Sequence, residues 1–341
     1  MDRTHDQPCR RREHPNPGPI RAGASTAENR LYAALKRLFH SQVFLLTLVI
    51  VVIVVVVSFL NPNFFSVSNF KNILVQISIV SIMAVGAGFV IISGGLDISV
   101  GSMTSLLAVV GAKLIASGHG VGVSVLITIA AAVGCGLVNG VLAAKTRVAP
   151  FIITLGTMSI FMSLSLIVGG AFSQLLSGRF QFLGRAMVAG VHFPTYVMVA
   201  VYLFFFFVMR YTTFGRRIYG MGGSEEVAFL AGIDIPLYKI MVYVINALLV
   251  CLASLILISR TGSALPTVGM GLELKCIAAA IIGGVALTGG VGTLLGIFLG
   301  SFLLGIIQNM LNILNLSAHL QSVVLGIVIV TAVTIGQRRR R

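Results

Sequence analysis

From Val43 to Gly336 the chain reads as a succession of apolar runs of membrane-spanning length, separated by short polar or glycine-containing breaks. Val43–Leu60 contains no charged residue, and at a helical rise of ~1.5 Å per residue it reaches across most of a ~30 Å hydrocarbon core. Ile73–Ile92, Val100–Ala116, Val121–Ala144, a run from Pro150 to about Gly170, Tyr196–Met209 and Ile240–Ser259 follow as further predicted spans. Between Cys276 and Gln337 there is no Asp, Glu, Lys or Arg. A single helix over that stretch would be about 93 Å long, three bilayer cores, so the glycines at 283–292 and the turn at Asn312–Asn315 must divide it into three. About ten transmembrane helices result, an all-α integral membrane protein. The eighth span must begin before Cys276 or be only a half-helix ending at Gly283.

One interruption differs from a simple loop. Ile91 to Ser102 reads I-I-S-G-G-L-D-I-S-V-G-S and carries the only acidic residue between Glu28 and Glu225. Adjacent glycines cost a helix about 1 kcal/mol each relative to Ala, and Asp and Ser favour caps, so one helix stops here and another restarts. Near the C-terminus Ile281–Thr293 reads I-I-G-G-V-A-L-T-G-G-V-G-T, and L-x-x-x-V-G-[ST] occurs at 96–102 and again at 287–293. Paired helix breaks in two halves are what a transport protein built from internal repeats contains. Gly94, Gly95, Asp97, Ser99 and Gly101 in the first break, and Gly283, Gly284, Gly289 and Gly290 in the second, are the candidate hinge or gating positions. Close packing of small residues is the competing explanation for the glycines.

Composition agrees with the pattern. Hydrophobic residues make up 57% of the 341, charged residues only 10%, and mean hydropathy is +1.02, against ~25% charged in soluble domains. The 38 glycines and absence of Trp fit helices in close contact. A net charge of +15 would suggest nucleic acid in a soluble protein. Here no nucleic acid is expected, because the cations fall where a positive-inside protein puts them. With the N-terminus inside, eight cations in residues 1–40, Lys145 and Arg147, then Arg210, Arg216, Arg217 and Lys239, and Arg338 to Arg341 are cytoplasmic, 18 of the 24. Both termini are therefore expected in the cytoplasm. Residues 1–40, with Pro8, Pro15, Pro17, Pro19 and Arg10-Arg11-Arg12, are expected to form a disordered basic tail with no cleaved signal sequence. Residues 41–337 form the transmembrane domain, with a cytoplasmic loop at 210–239, and 338–341 a basic C-terminus. The four cysteines form no C-x-x-C pair and imply neither disulfides nor zinc.

Chemistry is notable for what is missing. Ion-coupled transporters commonly use intramembrane carboxylates or His, yet Asp97 is the one acid expected near the membrane, with Glu273 assigned to an external loop. There is no Walker A, H-E-x-x-H or G-x-S-x-G motif. Energy for pumping would have to come from a partner, and an autonomous facilitator or secondary transporter is the rival reading. The loop 210–239 offers a docking element. Ser224 is a good N-cap, Glu225 and Glu226 suit the helix dipole, and Gly232 is a natural stop, which predicts a helix of about eight residues too short to stand alone. Val227, Leu230 and Ala231 form its apolar face, which either receives a partner or folds back on the membrane surface.

Four stretches carry a family resemblance: S-G-G-L-D-I-S-V-G-S at 93–102, A-P-F-I-I-T-L-G-T at 149–157, G-G-S-E-E-V-A-F-L-A-G-I at 222–233, and I-I-G-G at 281–284 with L-T-G-G-V-G-T at 287–293. In this order they resemble the permease subunits of ribose-type sugar ABC importers, over about residues 43–336. Ser224 stands where many such permeases have Asn, which keeps the capping ability. The resemblance implies a multi-pass subunit of the bacterial inner membrane that pairs with a second permease subunit, identical or related. It implies an ABC ATPase docked on the coupling helix (Gly223, Ser224, Glu225, Glu226, Val227, Ala228, Leu230, Gly232, Ile233), and an extracytoplasmic sugar-binding protein that delivers a monosaccharide. ATP and magnesium would be held by the ATPase, no cofactor by this chain, which would be no enzyme itself. Branched-chain amino-acid permeases belong to the wider superfamily and give an alternative substrate.

Candidate pathway residues are Phe151, Thr154 and Thr157 at the start of the fifth span, with Asn139, Asn246, Gln308 and Asn309. Amides suit sugar hydroxyls and equally suit interhelical hydrogen bonds. Asp97 reads as an N-cap of the third span at its cytoplasmic end, a structural joint rather than a substrate site, which Asn should replace without much loss.

Overall fold

The structure, a computed structural model, describes residues 42–338 apart from position 171. The tail expected at 1–40 and the last three arginines lie outside the described residues. A helix stands at each of the ten predicted places: α1 Gln42–Leu60, α2 Val67–Ile92, α3 Val100–Ala116, α4 Val121–Lys145, α5 Pro150–Gly169, α7 Phe193–Tyr211, α10 Ile235–Thr261, α11 Leu272–Ile282, α12 Leu294–Ile313 and α13 Ala318–Arg338. Between them lie a four-residue helix α6, Phe182–Arg185, and the loop helices α8, Thr213–Gly223, and α9, Glu225–Leu230. Among the described residues, seven helices, α1, α2, α4, α5, α7, α10 and α12, are long and apolar enough to cross a membrane. Of the others, α3 is 17 residues long and α11 only 11, about 16 Å of rise, so the eighth place holds the half-helix that the sequence left open.

Local chemistry explains the starts. Ser66, Thr212, Ser224, Asp234 and Thr293 each accept a backbone N–H from the first turn of the helix that follows, and Pro150, Pro194 and Pro236 occupy first-turn positions where no donor is needed. Because of those prolines and caps, α7 and α10 begin earlier than hydropathy alone suggests.

The core is built on α2, whose membrane-length window is 89% buried. It packs against α10, α12, α11 and α7, while α10 also packs on α4 and α3, and α3 on α5. Contacts are close where glycine removes the side chain. A Cβ on Gly136 would lie 2.8 Å from the Val244 backbone, and one on Gly140 2.8 Å from that of Ile240, so α4 meets α10 backbone to backbone.

At one end of the bundle lie the termini of α2 and α11, the loop helices and the start of α10; this is the break end. The far end is less purely helical than expected. Residues 171–194, predicted as a loop, contain β1 (Gln174–Leu175), which pairs antiparallel with β4 (Ser263–Ala264), and a hairpin of β2 (Met187–Val188) and β3 (Val191–His192) closed by Ala189 and Gly190, both at positive φ. Three cations there cap helix C-termini: Lys113 Nζ donates to Val168 O (2.8 Å), Arg179 to Ile115 O (3.4 Å), and Arg185 to Arg260 O (2.9 Å).

From β4 the chain turns back inward along α3. Ser165 Oγ donates to Pro266 O (2.9 Å), the Gly269 N–H donates to Ser105 Oγ (2.9 Å), and Gly269 meets the backbone of Gly101. The segment 265–271 thus runs from the level of Val109 to that of Gly101, two turns of α3, before α11 starts. Irregular backbone at this depth persists because it is enclosed by protein and bonded by hydroxyls. This overturns the assignment of Glu273 to an external loop. Glu273 is 8% exposed on the first turn of α11, its Oε1 accepts the Gly271 N–H (3.1 Å), and a Cβ on Gly101 would overlap its Oε2.

Candidate functional site

The first helix break is closed by a hydrogen-bond pattern that sequence dictates. Gly94 has φ +86°, and the N–H groups of Ser93, Gly94 and Gly95 reach Phe89 O, Ile91 O and Val90 O, each at 2.9 Å. This is a Schellman-type C-cap, in which the left-handed residue is glycine because a Cβ there is penalised. The residues that follow are clasped from three sides. Asp97 Oδ1 accepts the Ser99 N–H (2.9 Å) and the Ser99 hydroxyl (2.6 Å), and its Oδ2 accepts Asn246 Nδ2 on α10 (2.9 Å) and Asn139 Nδ2 on α4 (3.4 Å). Asn139 Nδ2 also donates to Ser99 Oγ (2.8 Å). From α5, Thr154 Oγ1 accepts the Ile98 N–H (3.2 Å) and donates to Leu96 O (3.1 Å), and Tyr243 Oη donates to Leu96 O at 3.5 Å. Asn139, Asn246, Thr154 and Ser99 have no exposed surface.

Asp97 is therefore not the cap of α3. The residue at the cap is Ser99, which makes no side-chain cap bond, and the carboxylate instead gathers four donors from its own turn and two neighbouring helices. A buried carboxylate needs that many partners to offset lost hydration. The sequence motif revealed the turn but not the two amides, which lie 42 and 149 positions away.

The second break repeats the first at its stop. Gly284 has φ +95°, and Gly283, Gly284 and Val285 donate to Ala279 O (2.9 Å), Ile281 O (2.9 Å) and Ala280 O (3.0 Å). Its restart differs. Val100 of the first L-x-x-x-V-G-[ST] already begins α3, whereas Val291, Gly292 and Thr293 of the second precede α12, with Thr293 as the cap of that helix (Gly296 N–H to Oγ1, 3.0 Å). The repeat is one of helix ends rather than of whole motifs. Gly283 and Gly296 are also in backbone contact, as are Gly300 and Ala279, which lets α11 and α12 cross closely.

The two breaks touch each other and the loop helix α8. The Gly290 N–H donates to Ile92 O, the last carbonyl of α2, at 2.8 Å. Gly222, at the end of α8, sits between them: a Cβ on Gly222 would overlap Ile92 O and lie 2.5 Å from Gly290 N, and one on Gly289 would lie 2.6 Å from Gly222 O and 3.0 Å from Gly94 Cα. Tyr219 Oη, also on α8, donates to Gly292 O (2.8 Å), and burial pushes its phenol above the ordinary value.

Gly223 links this contact to α9. Ser224 caps α9 as predicted, its Oγ accepting the Val227 N–H (3.3 Å), and Gly232 follows with φ +77°. The helix has six residues instead of eight, since Ala231 already forms the C-cap. Lys239 on α10 pairs with Glu225 at 2.7 Å, and Arg217 donates to the Tyr238 hydroxyl and stacks over that ring. Outward, Val227, Phe229 and Leu230 are 65%, 70% and 79% exposed. Ala228, one of the coupling-helix residues, is buried with Met221, Ile235 and Tyr238. Phe229 was missed. It lies beside the Val227, Leu230 and Ala231 face rather than on it, yet is as exposed as Val227.

The predicted pathway amides are engaged elsewhere. Asn139 and Asn246 hold Asp97; Asn309 exchanges two bonds with Asn69 across α12 and α2 (2.9 and 3.1 Å); Gln308 accepts from Lys275 at 3.4 Å. Thr157 donates to Thr154 O at 3.3 Å, and only Phe151, 46% exposed, faces outward.

Residues 69–333 match the family described as "Branched-chain amino acid transport system / permease component". The chain is 37% identical to the ribose import permease protein of Escherichia coli K12 over 92% of its own length and 99% of that protein. It is 35% identical to the D-allose transport system permease protein of E. coli K12 (82% and 86% of the two chains) and 33% identical to the L-arabinose ABC transporter permease protein of Azospirillum brasilense (82% and 83%). No solved structure matches. Apolar helices of spanning length, paired breaks and near-complete coverage of these relatives agree, and the chain belongs to the family of transport-system permease components that this description names.

Proposed function

We propose that this chain is the membrane permease subunit of a sugar ABC importer and that its substrate is a monosaccharide. The observation that carries the reading is the exposed apolar face Val227, Phe229 and Leu230 on a six-residue helix, fixed to the bundle by Ser224, Ala228 and the Glu225–Lys239 pair. Such a face in water calls for a protein partner, and a chain without a nucleotide-binding motif needs an ATPase. The relatives named for ribose, allose and arabinose favour a sugar over an amino acid. In this reading ATP and magnesium stay on the ATPase. A binding protein delivers the sugar to the far end, and two permease subunits, identical or related, enclose the path. The chain lies in the bacterial inner membrane with ten helices, both termini and α9 on the cytoplasmic side. Phe151 faces the partner subunit or lipid, and Asp97, Asn139, Asn246 and Thr154 hold the break rather than the sugar.

Co-expression with the ATPase of its transport system should yield a complex stable in detergent that is lost in the Val227→Asp, Leu230→Asp variant. An undiminished complex from that variant removes α9 as the docking helix. Uptake of radiolabelled D-ribose, D-allose and L-arabinose into vesicles should require both ATPase and binding protein; uptake by this chain alone would make it a facilitator.

A further inference from the structure

We infer that the end of α8 is the transmission joint of the transporter: Gly222 and Tyr219 carry displacement of the docking helix α9 into both helix breaks at once. This rests on the docking reading above and goes beyond it by naming the residues that link docking to the transmembrane helices. The geometry is a three-way backbone contact. Gly222 presses on Ile92 O and Gly290 N from one side, and Gly289 presses on Gly222 O and Gly94 from the other. Two hydrogen bonds close it, Gly290 N–H to Ile92 O and Tyr219 O–H to Gly292 O, both 2.8 Å.

Backbone contact matters because side chains yield by rotating and backbones do not. At most protein contacts a small displacement is absorbed by rotamer changes; here there is no side chain to absorb it. Each contacting segment is also the end of a helix rather than its middle. α2 stops at Ile92 and α11 at Ile282, and the chain between stop and restart carries the positive-φ glycines 94, 284, 289 and 290. Such segments can change φ and ψ without breaking a helix, so the helix ends move with the backbone that pushes on them. On the other side Gly222 is one residue from Gly223 and two from Ser224, the cap of α9, so α9 cannot tilt far without moving Gly222.

Another glycine of α8 supplies the control. A Cβ on Gly220 would meet only the end of the Ile233 side chain, at 3.8 Å, whereas one on Gly222 would collide with two backbones. The readout is ATP-dependent accessibility in the second break, which needs no knowledge of the sugar. Leu287, 42% exposed, is replaced by Cys in a Cys9→Ser background; Cys135, Cys251 and Cys276 are buried. In the detergent complex with the ATPase, the maleimide labelling rate of Leu287→Cys is compared with and without ATP and magnesium. It should change severalfold, Gly220→Ala should preserve the change, and Gly222→Ala should abolish it while complex yield and ATP hydrolysis stay within about twofold. If Gly222→Ala prevents assembly, Tyr219→Phe decides, because it removes one hydrogen bond without adding volume, and its ATP response should fall by at least half. The joint is overturned if the assembled Gly222→Ala complex, or Tyr219→Phe where assembly fails, responds as the parent does, or if the parent shows no response to ATP. Failure of the parent chain to bind the ATPase overturns the docking reading and the joint together; an assembled complex with an unaltered response overturns the joint alone.

Discussion

Asp97 illustrates how one residue can be found for one reason and matter for another. The motif marks it as a turn former, and it does bind the N–H two residues on, but the decisive partners are Asn139 and Asn246. A carboxylate accepts at every position; an amide would set its own donors against Ser99, Asn139 or Asn246. Asp97→Asn should therefore cost about 1–3 kcal/mol per unmatched buried group, in contrast to the near-neutral exchange expected of a cap. Thermal unfolding in detergent should show a lower midpoint for Asp97→Asn than for Asp234→Asn, whose carboxylate is an exposed cap on α10 where Asn serves equally well. Neither amide could have been assigned from sequence, because nothing local distinguishes an Asn that faces a pathway from one that faces a helix.

At the scale of elements, apolar run length located the ten bundle helices but not α6 or α8, and cap residues found α9 and corrected the ends of others. What run length does not reveal is depth. The residues before Cys276 look like an external loop because Pro266, Glu273 and Lys275 interrupt the apolar pattern, yet the segment is drawn inward by hydroxyls on α3 and α5. Hydrogen bonding to Ser105 and Ser165 substitutes for water at that depth. Ser165→Ala should leave the Pro266 carbonyl without this donor and destabilise the domain by about 1–3 kcal/mol, detectable as a lowered unfolding midpoint, whereas Ser159→Ala, on an exposed face of the same helix, should change it little. A wild-type midpoint for Ser165→Ala would mean that the inward segment does not depend on this bond. The half-helix α11 follows from the same cause: chain that enters partway has only about 16 Å left to cover.

For the whole molecule, the proposed orientation rests mainly on charge, and most of that charge lies in the eight cations of residues 1–40 and the last three arginines, outside the described residues. The described bundle places Phe229 at the break end and Phe172, 80% exposed, at the far end. In a Cys9→Ser background, an impermeant maleimide applied to spheroplasts should label Phe172→Cys at once and Phe229→Cys only after permeabilisation. The reverse order would invert the proposed topology and put the docking face outside the cell. The seven long helices and their packing did not depend on that choice, since hydropathy is indifferent to direction.

The cations at the far end have a consequence for whatever approaches from that side. Lys113, Arg179 and Arg185 each point at helix carbonyls, so their charge is opposed by three helix C-termini instead of standing free. Counting basic residues therefore overstates the attraction this surface exerts at a distance. A visiting protein is drawn less by long-range field than by contact, and its rate of arrival should depend only weakly on ionic strength.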